Sequence, residues 1–271
     1  MTADTHLSSD TVVIQAYPNH RPAWVERCIT SVREWAELSG YDYFFYQESE
    51  KPEFNGFYSP LGGYVPEWFA AKSREYPYPV FDLARAEAAT RLHKTYHRVI
   101  WVDGDVLIFA PERFRILDVG DAAFTREIWV LWVNGQHVVR QRVTNCVCCY
   151  TRDSVVLQQY KIACLQLGTA TEGQFAKSDI GTDLLTELHR HSPLPLLPNI
   201  GNCSPHVLHA LVAADADRLT TFIARTGQPL YAANLCASHQ GRRYFGVRND
   251  EQHYERAVHL LLSQPDLLSP R

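Results

Sequence analysis

Residues 98–109 read Arg-Val-Ile-Trp-Val-Asp-Gly-Asp-Val-Leu-Ile-Phe, two apolar runs broken by two carboxylates with one glycine between them. Apolar, β-branched runs of this kind predict buried strand. A buried carboxylate is costly unless it is paired, hydrogen-bonded or bound to a cation, so Asp103 and Asp105 need a neutralising partner. Their oxygens suit hard divalent ions such as Mg²⁺ or Mn²⁺, and the carboxyl end of a strand is where open α/β sheets place ligands. Gly104 lets the backbone turn or approach a ligand closely. The plainer alternative is a turn between two short strands with both carboxylates solvated.

The chain around this stretch alternates strand and helix. Thr11 to Tyr17 predicts a first strand, and Pro22 stands at the expected first position of a helix whose apolar residues Trp24, Cys28, Ile29, Val32, Trp35 and Ala36 recur at helical spacing. Gly40 marks its stop, and Tyr41 to Gln47 predicts a second strand. Residues 48–66 lack periodicity and predict a functional loop; helical pattern resumes over 68–75 and 81–95. Downstream, Ile128 to Val133 and His137 to Val143 flank Asn134-Gly135, a strong hairpin signal, and a further strand is expected over Asn145 to Thr151. Helices are expected at Ser154 to Leu167, closed by Gly168, at Gly181 to Arg190, and from Ser204-Pro205 to about Ala214. A late strand is expected over Tyr231 to Ser238 and a closing amphipathic helix over Asp250 to Ser263. This order predicts a single α/β Rossmann-like domain over 1–271, with a mainly parallel central sheet flanked by helices and a small antiparallel hairpin.

Composition removes several function classes. With 26 Lys plus Arg against 30 Asp plus Glu, the net charge is -4, and no basic block suggests a nucleic acid polymer as partner. The amino terminus has no signal-peptide pattern and no window has the length of a transmembrane segment, so a cytoplasmic protein is expected, with peripheral attachment to a membrane surface as the alternative although no basic amphipathic helix is evident. Seven cysteines, several inside apolar stretches, predict reduced and buried thiols. Cys146, Cys148 and Cys149 lack the spaced pairs of a zinc site, and packing is the expected role.

Several motifs in fixed order carry a resemblance. Leu83-Ala84-Arg85 lies 18 residues before Asp103; Asn145, Asp183-Leu184-Leu185, Leu197-Pro198-Asn199 and His239-Gln240-Gly241-Arg242-Arg243 follow it. Together with Val102-Asp103-Gly104-Asp105 they resemble the Asp-x-Asp glycosyltransferases of GT-A fold, especially retaining families related to glycogenin and the bacterial lipopolysaccharide galactosyltransferases. The sequence departs from those families at Cys146-Val147-Cys148-Cys149, Gly181-Thr182-Asp183 and Arg242-Arg243-Tyr244, all on the acceptor side. A haloacid-dehalogenase phosphatase also uses Asp-x-Asp, but near the chain start, and here a strand, helix and strand precede it.

The resemblance implies a GT-A domain, residues 10–110 holding the nucleotide sugar and 111–271 shaping the acceptor side. It implies transfer of a sugar from a nucleoside-diphosphate sugar to an acceptor hydroxyl with retention, on a glycan, lipid-linked or small-molecule acceptor. Its cation would be held by Asp103, Asp105 and His239, and the imidazole favours Mn²⁺ over Mg²⁺. Arg85 and one of Arg242 or Arg243, with Lys72 as a further candidate, would add charge to phosphate or sugar oxygens. Asp183 would orient the acceptor or buttress the sugar, and Tyr17 would stack on the base; a helix-capping Asp183 and a packed Tyr17 are the structural alternatives. Competing classes are a non-catalytic nucleotide-sugar or glycan-binding protein of the same fold and a nucleotidyltransferase, although Tyr17-Pro18-Asn19-His20-Arg21 lacks the Gly-rich basic loop of the latter.

Overall fold

A computed structural model describes residues 9–18, 20–48, 78–116, 120–171 and 179–270. The predicted loop at 48–66, apart from residue 48, the helical pattern at 68–75 and Lys72 lie outside the described residues. β1 (Thr11–Pro18), α1 (Ala23–Leu38) and β2 (Asp42–Glu48) open the chain, followed by α2 (Tyr78–Leu92) and β3 (Arg98–Asp103). β1 pairs in parallel with β2 on one side and β3 on the other. In α1 the expected apolar stripe is buried, while Pro22 sits one position earlier than predicted, as the N-cap with φ -67 and ψ 158. Its extended ψ places it outside the helix whose first free N–H groups it precedes.

β5 (Ala122–Val133) and β6 (Gln136–Thr151) are joined by Asn134 and Gly135, with φ of 51° and 77°. Positive φ at both central residues matches the right-handed twist of the strands, the reason Asn-Gly is favoured there. The two strands expected over His137–Val143 and Asn145–Thr151 are one: β6 runs through Thr144, but its pairing with β5 shifts there, since Phe124 faces Cys148 while Thr125 faces Thr144, which leaves residues 145–147 of β6 outside the β5 register. β6 lies antiparallel between β3 and β5, and β7 (Leu196–Leu197) runs parallel to β5, giving the order β2-β1-β3-β6-β5-β7. The fold is thus mixed α/β with a mainly parallel sheet. Its hairpin is no appendage, because it supplies two strands of that sheet.

A second, three-stranded sheet has the order β4-β9-β8, from β4 (Val106–Ile108), β8 (Ile200–Asn202) and β9 (Ala232–Asn234). The Gly104-Asp105 turn therefore carries the chain from one sheet to the other. The late strand is shorter than expected, since the backbone N–H groups beyond Asn234 find other partners. Asn234 Oδ1 accepts from Cys236 N at 2.6 Å, and Asp105 takes Leu235 N through its carbonyl and Ala237 N through Oδ2.

α3 (Val155–Ala170) starts at Ser154, whose hydroxyl accepts from Leu157 N at 3.0 Å, and passes through a buried Gly168 that was expected to close it. A π-helical turn, Asp179–Asp183, leads into α4 (Leu184–His191). α5 (Pro205–Val212) is capped by Ser204 as expected. α6 (Ala216–Thr226) was not anticipated, although Asp215 caps Arg218 N and Gly227 at φ 67° stops it. α7 (Glu251–Ser263) closes the chain behind Asp250. Leu83, Leu157 and Tyr160 cover one face of the large sheet, Val32, Trp35 and Ala36 the other. None of the seven cysteines forms a disulfide and all are buried, with Cys148 and Cys149 on opposite faces of β6. Among the described residues no helix is long and apolar enough to cross a membrane.

Candidate active site

At the carboxyl end of β3 the Asp103 carboxylate is held through one oxygen. Oδ1 accepts from Trp101 Nε1 at 2.8 Å and faces Arg85 Nη2 at 2.9 Å; Oδ2 makes no hydrogen bond among the described residues. Arg85 comes from α2 and is surrounded. Nη1 donates to Asp82 Oδ1 at 3.1 Å and to Asn145 Oδ1 at 2.8 Å, and its guanidinium lies 5.3 Å from the Trp101 ring centroid. Asn145 returns its amide N–H to Asp82 Oδ1 at 2.9 Å, so four polar side chains form one network, with Asp82 and Asn145 buried and Arg85 and Asp103 partly so. Arg85 and Asn145, picked out by sequence order, meet; both Nη atoms of Arg85 are committed to protein partners, which makes it a positioning residue for Asp103.

Charge does not balance within this network. Burial pushes Asp103 up to about 7 against the downward pull of Arg85, and Asp105 adds to the rise. Burial alone would lower the Arg85 pKa, yet Asp103 and Asp82 raise it, so the guanidinium stays charged. A carboxylate whose folded pKa lies above its unfolded value of about 3.9 binds more protons when folded. Its contribution to stability is fully present below about pH 4 and is lost as pH rises through about 7. Burial likewise raises Glu127, with the same sign. In a chelator, the urea midpoint is expected to be lower at pH 8 than at pH 5, and Asp103→Asn is expected to flatten that slope.

Asp105 faces the other sheet. Its Oδ2 accepts from Ala237 N at 2.7 Å and its Oδ1 from Asn234 Nδ2 at 3.3 Å, which clamps the segment leading to the short 3₁₀ turn Ala237–His239. Tyr254 Oη donates to the Cys236 carbonyl and Trp24 Nε1 to Gln240 Oε1, fixing the segment further. The His239 ring meets Trp129 at 5.3 Å and Tyr244 at 5.0 Å, both edge-on. Among the described residues no three His, Cys, Asp or Glu side chains converge as a metal site, so Asp103, Asp105 and His239 are not a ready-made ligand set. The donors nonetheless suit a hard cation: both are carboxylates at one turn, and Asp103 Oδ2 makes no hydrogen bond among the described residues.

A second polar cluster escaped the sequence reading. Buried Glu127 on β5 accepts from Trp129 Nε1 at 2.8 Å and Asn202 Nδ2 at 3.3 Å through Oε1, and pairs with Arg142 Nε at 2.8 Å through Oε2. Arg142 Nη1 reaches Asp183 Oδ1 at 3.4 Å. Asp183 stands at the N-cap of α4 without a side-chain capping bond, so it is linked to the cluster through Arg142. The signal was an acidic residue in Phe-Thr-Arg-Glu-Ile-Trp-Val-Leu, the same pattern as the Asp103 stretch, but the strand was read from Ile128 and Glu127 fell one residue outside it.

Tyr17 ends up beside the Asp-x-Asp turn because Ala16 pairs with Asp103 in the sheet. A methyl on Gly104 would lie 3.0 Å from both the Ala16 carbonyl oxygen and Tyr17 Cβ, and closer still to Tyr17 Cδ2. Gly104→Ala is therefore expected to displace Tyr17 and cost about 1–3 kcal/mol, checked by urea unfolding and by the Tyr17 ring signals in NMR. Arg242 and Arg243 are exposed, and Arg242 N donates to the His239 carbonyl at 3.1 Å. Asn199, from the Leu197-Pro198-Asn199 motif, holds a left-handed turn at φ 62° and donates to the Pro229 carbonyl.

No family model matches the chain, and no curated protein sequence matches it. Among solved structures it is similar to a glycosyltransferase involved in the glycosylation of the major capsid of PBCV-1, at 13% identity over 92% of this chain and 98% of that one, with a TM-score of 0.43. It is also similar to the galactosyltransferase LgtC in complex with donor and acceptor sugar analogs, at 14% identity over 92% and 95%, with a TM-score of 0.42.

Proposed function

We propose that this chain is a glycosyltransferase that moves a sugar from a nucleoside-diphosphate sugar to an acceptor hydroxyl, with retention and with Mn²⁺ as the favoured cation. The observation that carries this reading is the Asp103 carboxylate, pinned through Oδ1 by Arg85 and Trp101 while Oδ2, beside the Asp105 turn, makes no hydrogen bond among the described residues. Asp103 and Asp105 would hold the cation, with His239 on the segment that Asp105 clamps. When bound, the cation supplies Lewis-acid stabilisation of the charge that grows on a diphosphate leaving group.

The chain's own residues set the stage for that step. Arg85 fixes the rotamer of Asp103 and keeps one of its oxygens occupied. Asp105 fixes the path of 234–237 and so the position of His239. Glu127 and Arg142 hold Asp183 at the edge of the same region, where it would orient the acceptor. Tyr17, packed over Gly104 at the end of β1, would face the base.

The test is a panel of nucleotide sugars incubated with Mn²⁺, with release of free nucleoside diphosphate as the readout. Steady release that disappears in Asp105→Ala supports transfer. Binding without release across a broad donor and acceptor panel would reassign the chain as a binding protein, and release of pyrophosphate would point to nucleotidyl transfer.

A further inference from the structure

The π-helical turn Asp179–Asp183 delivers Asp183 to the site, and its residues are held from outside the turn. The Ile180 carbonyl accepts from Tyr160 Oη at 3.0 Å. The Thr182 carbonyl accepts from Thr186 Oγ1 at 2.6 Å, and that hydroxyl oxygen in turn accepts from Val143 N at 3.0 Å. Asp183 meets Arg142, but their side chains are 45% and 32% exposed, too wet for that pair to fix the turn alone. Single π-helical turns are rare and concentrate at functional sites.

Gly181 is buried in this turn, and space rather than backbone conformation requires it. A Cβ there would lie 2.5 Å from Asp82 Oδ2 and 3.0 Å from Asp82 Cγ. The carboxylate cannot step aside without loss, because its Oδ1 accepts from Arg85 Nη1 and Asn145 Nδ2, contacts that brace Arg85 against Asp103. Tyr160 makes a second tie: its Oη accepts from Asn145 Nδ2 at 3.4 Å while donating to the Ile180 carbonyl. Asp82, Asn145 and Tyr160 are all buried. The turn that carries Asp183 therefore rests on side chains of the network that braces Asp103.

We infer that Asp82 and Tyr160 are positioning residues that fix the Asp183 turn relative to Asp103, and that residue 181 is glycine because a side chain there would break this seat. The inference rests on the reading of Asp103 as a cation ligand and Asp183 as the acceptor-side carboxylate. That chemistry demands such a tie: a diphosphate held by the cation and a hydroxyl oriented by Asp183 must meet at one carbon, and a misplacement of about 1 Å can cost on the order of 100-fold in rate.

Hydrogen–deuterium exchange over residues 179–186 of the full chain, in a chelator, reads the seat without any catalysis. Gly181→Ala is expected to speed exchange there about tenfold, and to add nothing further in an Asp82→Ala background, where the methyl has room. Tyr160→Phe removes one oxygen and is expected to speed exchange about threefold; should Gly181→Ala not fold, this variant decides. Mn²⁺ affinity, titrated by electron paramagnetic resonance, separates positioning from packing. Gly181 is no cation ligand, yet displacing Asp82 loosens Arg85, so Gly181→Ala is expected to weaken Mn²⁺ binding about tenfold. Phe222→Leu, in a core cluster apart from the network, is expected to lower the urea midpoint and leave Mn²⁺ affinity unchanged. If the wild-type chain binds no Mn²⁺, the functional reading falls and exchange alone decides the inference. Wild-type exchange in both Gly181→Ala and Tyr160→Phe, or an equal effect of Gly181→Ala with Asp82 present and with Asp82→Ala, would overturn it.

Discussion

Asp103→Asn is expected to reduce nucleoside-diphosphate release by about 100-fold or more while leaving the fold in place. The amide oxygen can still accept from Trp101 Nε1 and Arg85 at the position of Oδ1, so the network through Asp82 and Asn145 keeps its geometry. What disappears is the negative charge. Removing it relieves the burial that pushes Asp103 up to about 7 and forfeits the pair with Arg85, and the two effects oppose each other in stability. Cation binding has no such compensation, because a neutral amide is a poor partner for a hard ion. Mn²⁺ at 100 times its dissociation constant stabilises a folded protein by about 2.7 kcal/mol, and this rise in melting temperature is expected in the wild type and absent in the variant. A variant that keeps both the Mn²⁺-dependent rise and full turnover would remove Asp103 from the site.

The parts of the fold that rest on local chemistry were legible in the sequence. The α1 stripe, the Asn134-Gly135 turn and the Ser204 cap each depend on a few neighbouring residues, and each stands where expected. The shortened β9 was not legible, because its end is fixed by Asp105, 129 residues before Asn234 in sequence. For the same reason the sequence could place Arg85 near Asp103 but not show that both Nη atoms are already engaged. Asp82 and Trp101 read as an ordinary helix acid and an ordinary strand aromatic; only their hydrogen bonds to Arg85 and Asp103 mark them as part of the site. Glu127 is readable in principle, as an acid inside an apolar strand, but the apolar pattern predicts a start at Ile128 whereas β5 starts six residues earlier, at Ala122.

Arg85→Met is expected to be the most destabilising single change at the site, by about 3–5 kcal/mol, since it strips the cation from two largely buried carboxylates at once. Arg85, Asp82 and Asp103 side chains are 15%, 11% and 20% exposed, too little for water to replace the guanidinium. The aliphatic stem of Met still packs near Trp101, so the loss reports charge and hydrogen bonds more than volume. Arg85→Lys restores the charge, but a single ammonium cannot match the two-pronged contact that joins Asp82 and Asn145 to Asp103, so recovery is expected to be partial. Asp82→Asn in the Arg85→Met background removes one of the two stranded charges and keeps an amide oxygen for Asn145. The double variant is therefore expected to be more stable than Arg85→Met alone, a coupling of about 1–3 kcal/mol in a double-mutant cycle read from urea midpoints. Additive effects would mean that Asp82 and Arg85 do not share a charge, and that the loss in Arg85→Met comes from Asp103 and Asn145 instead.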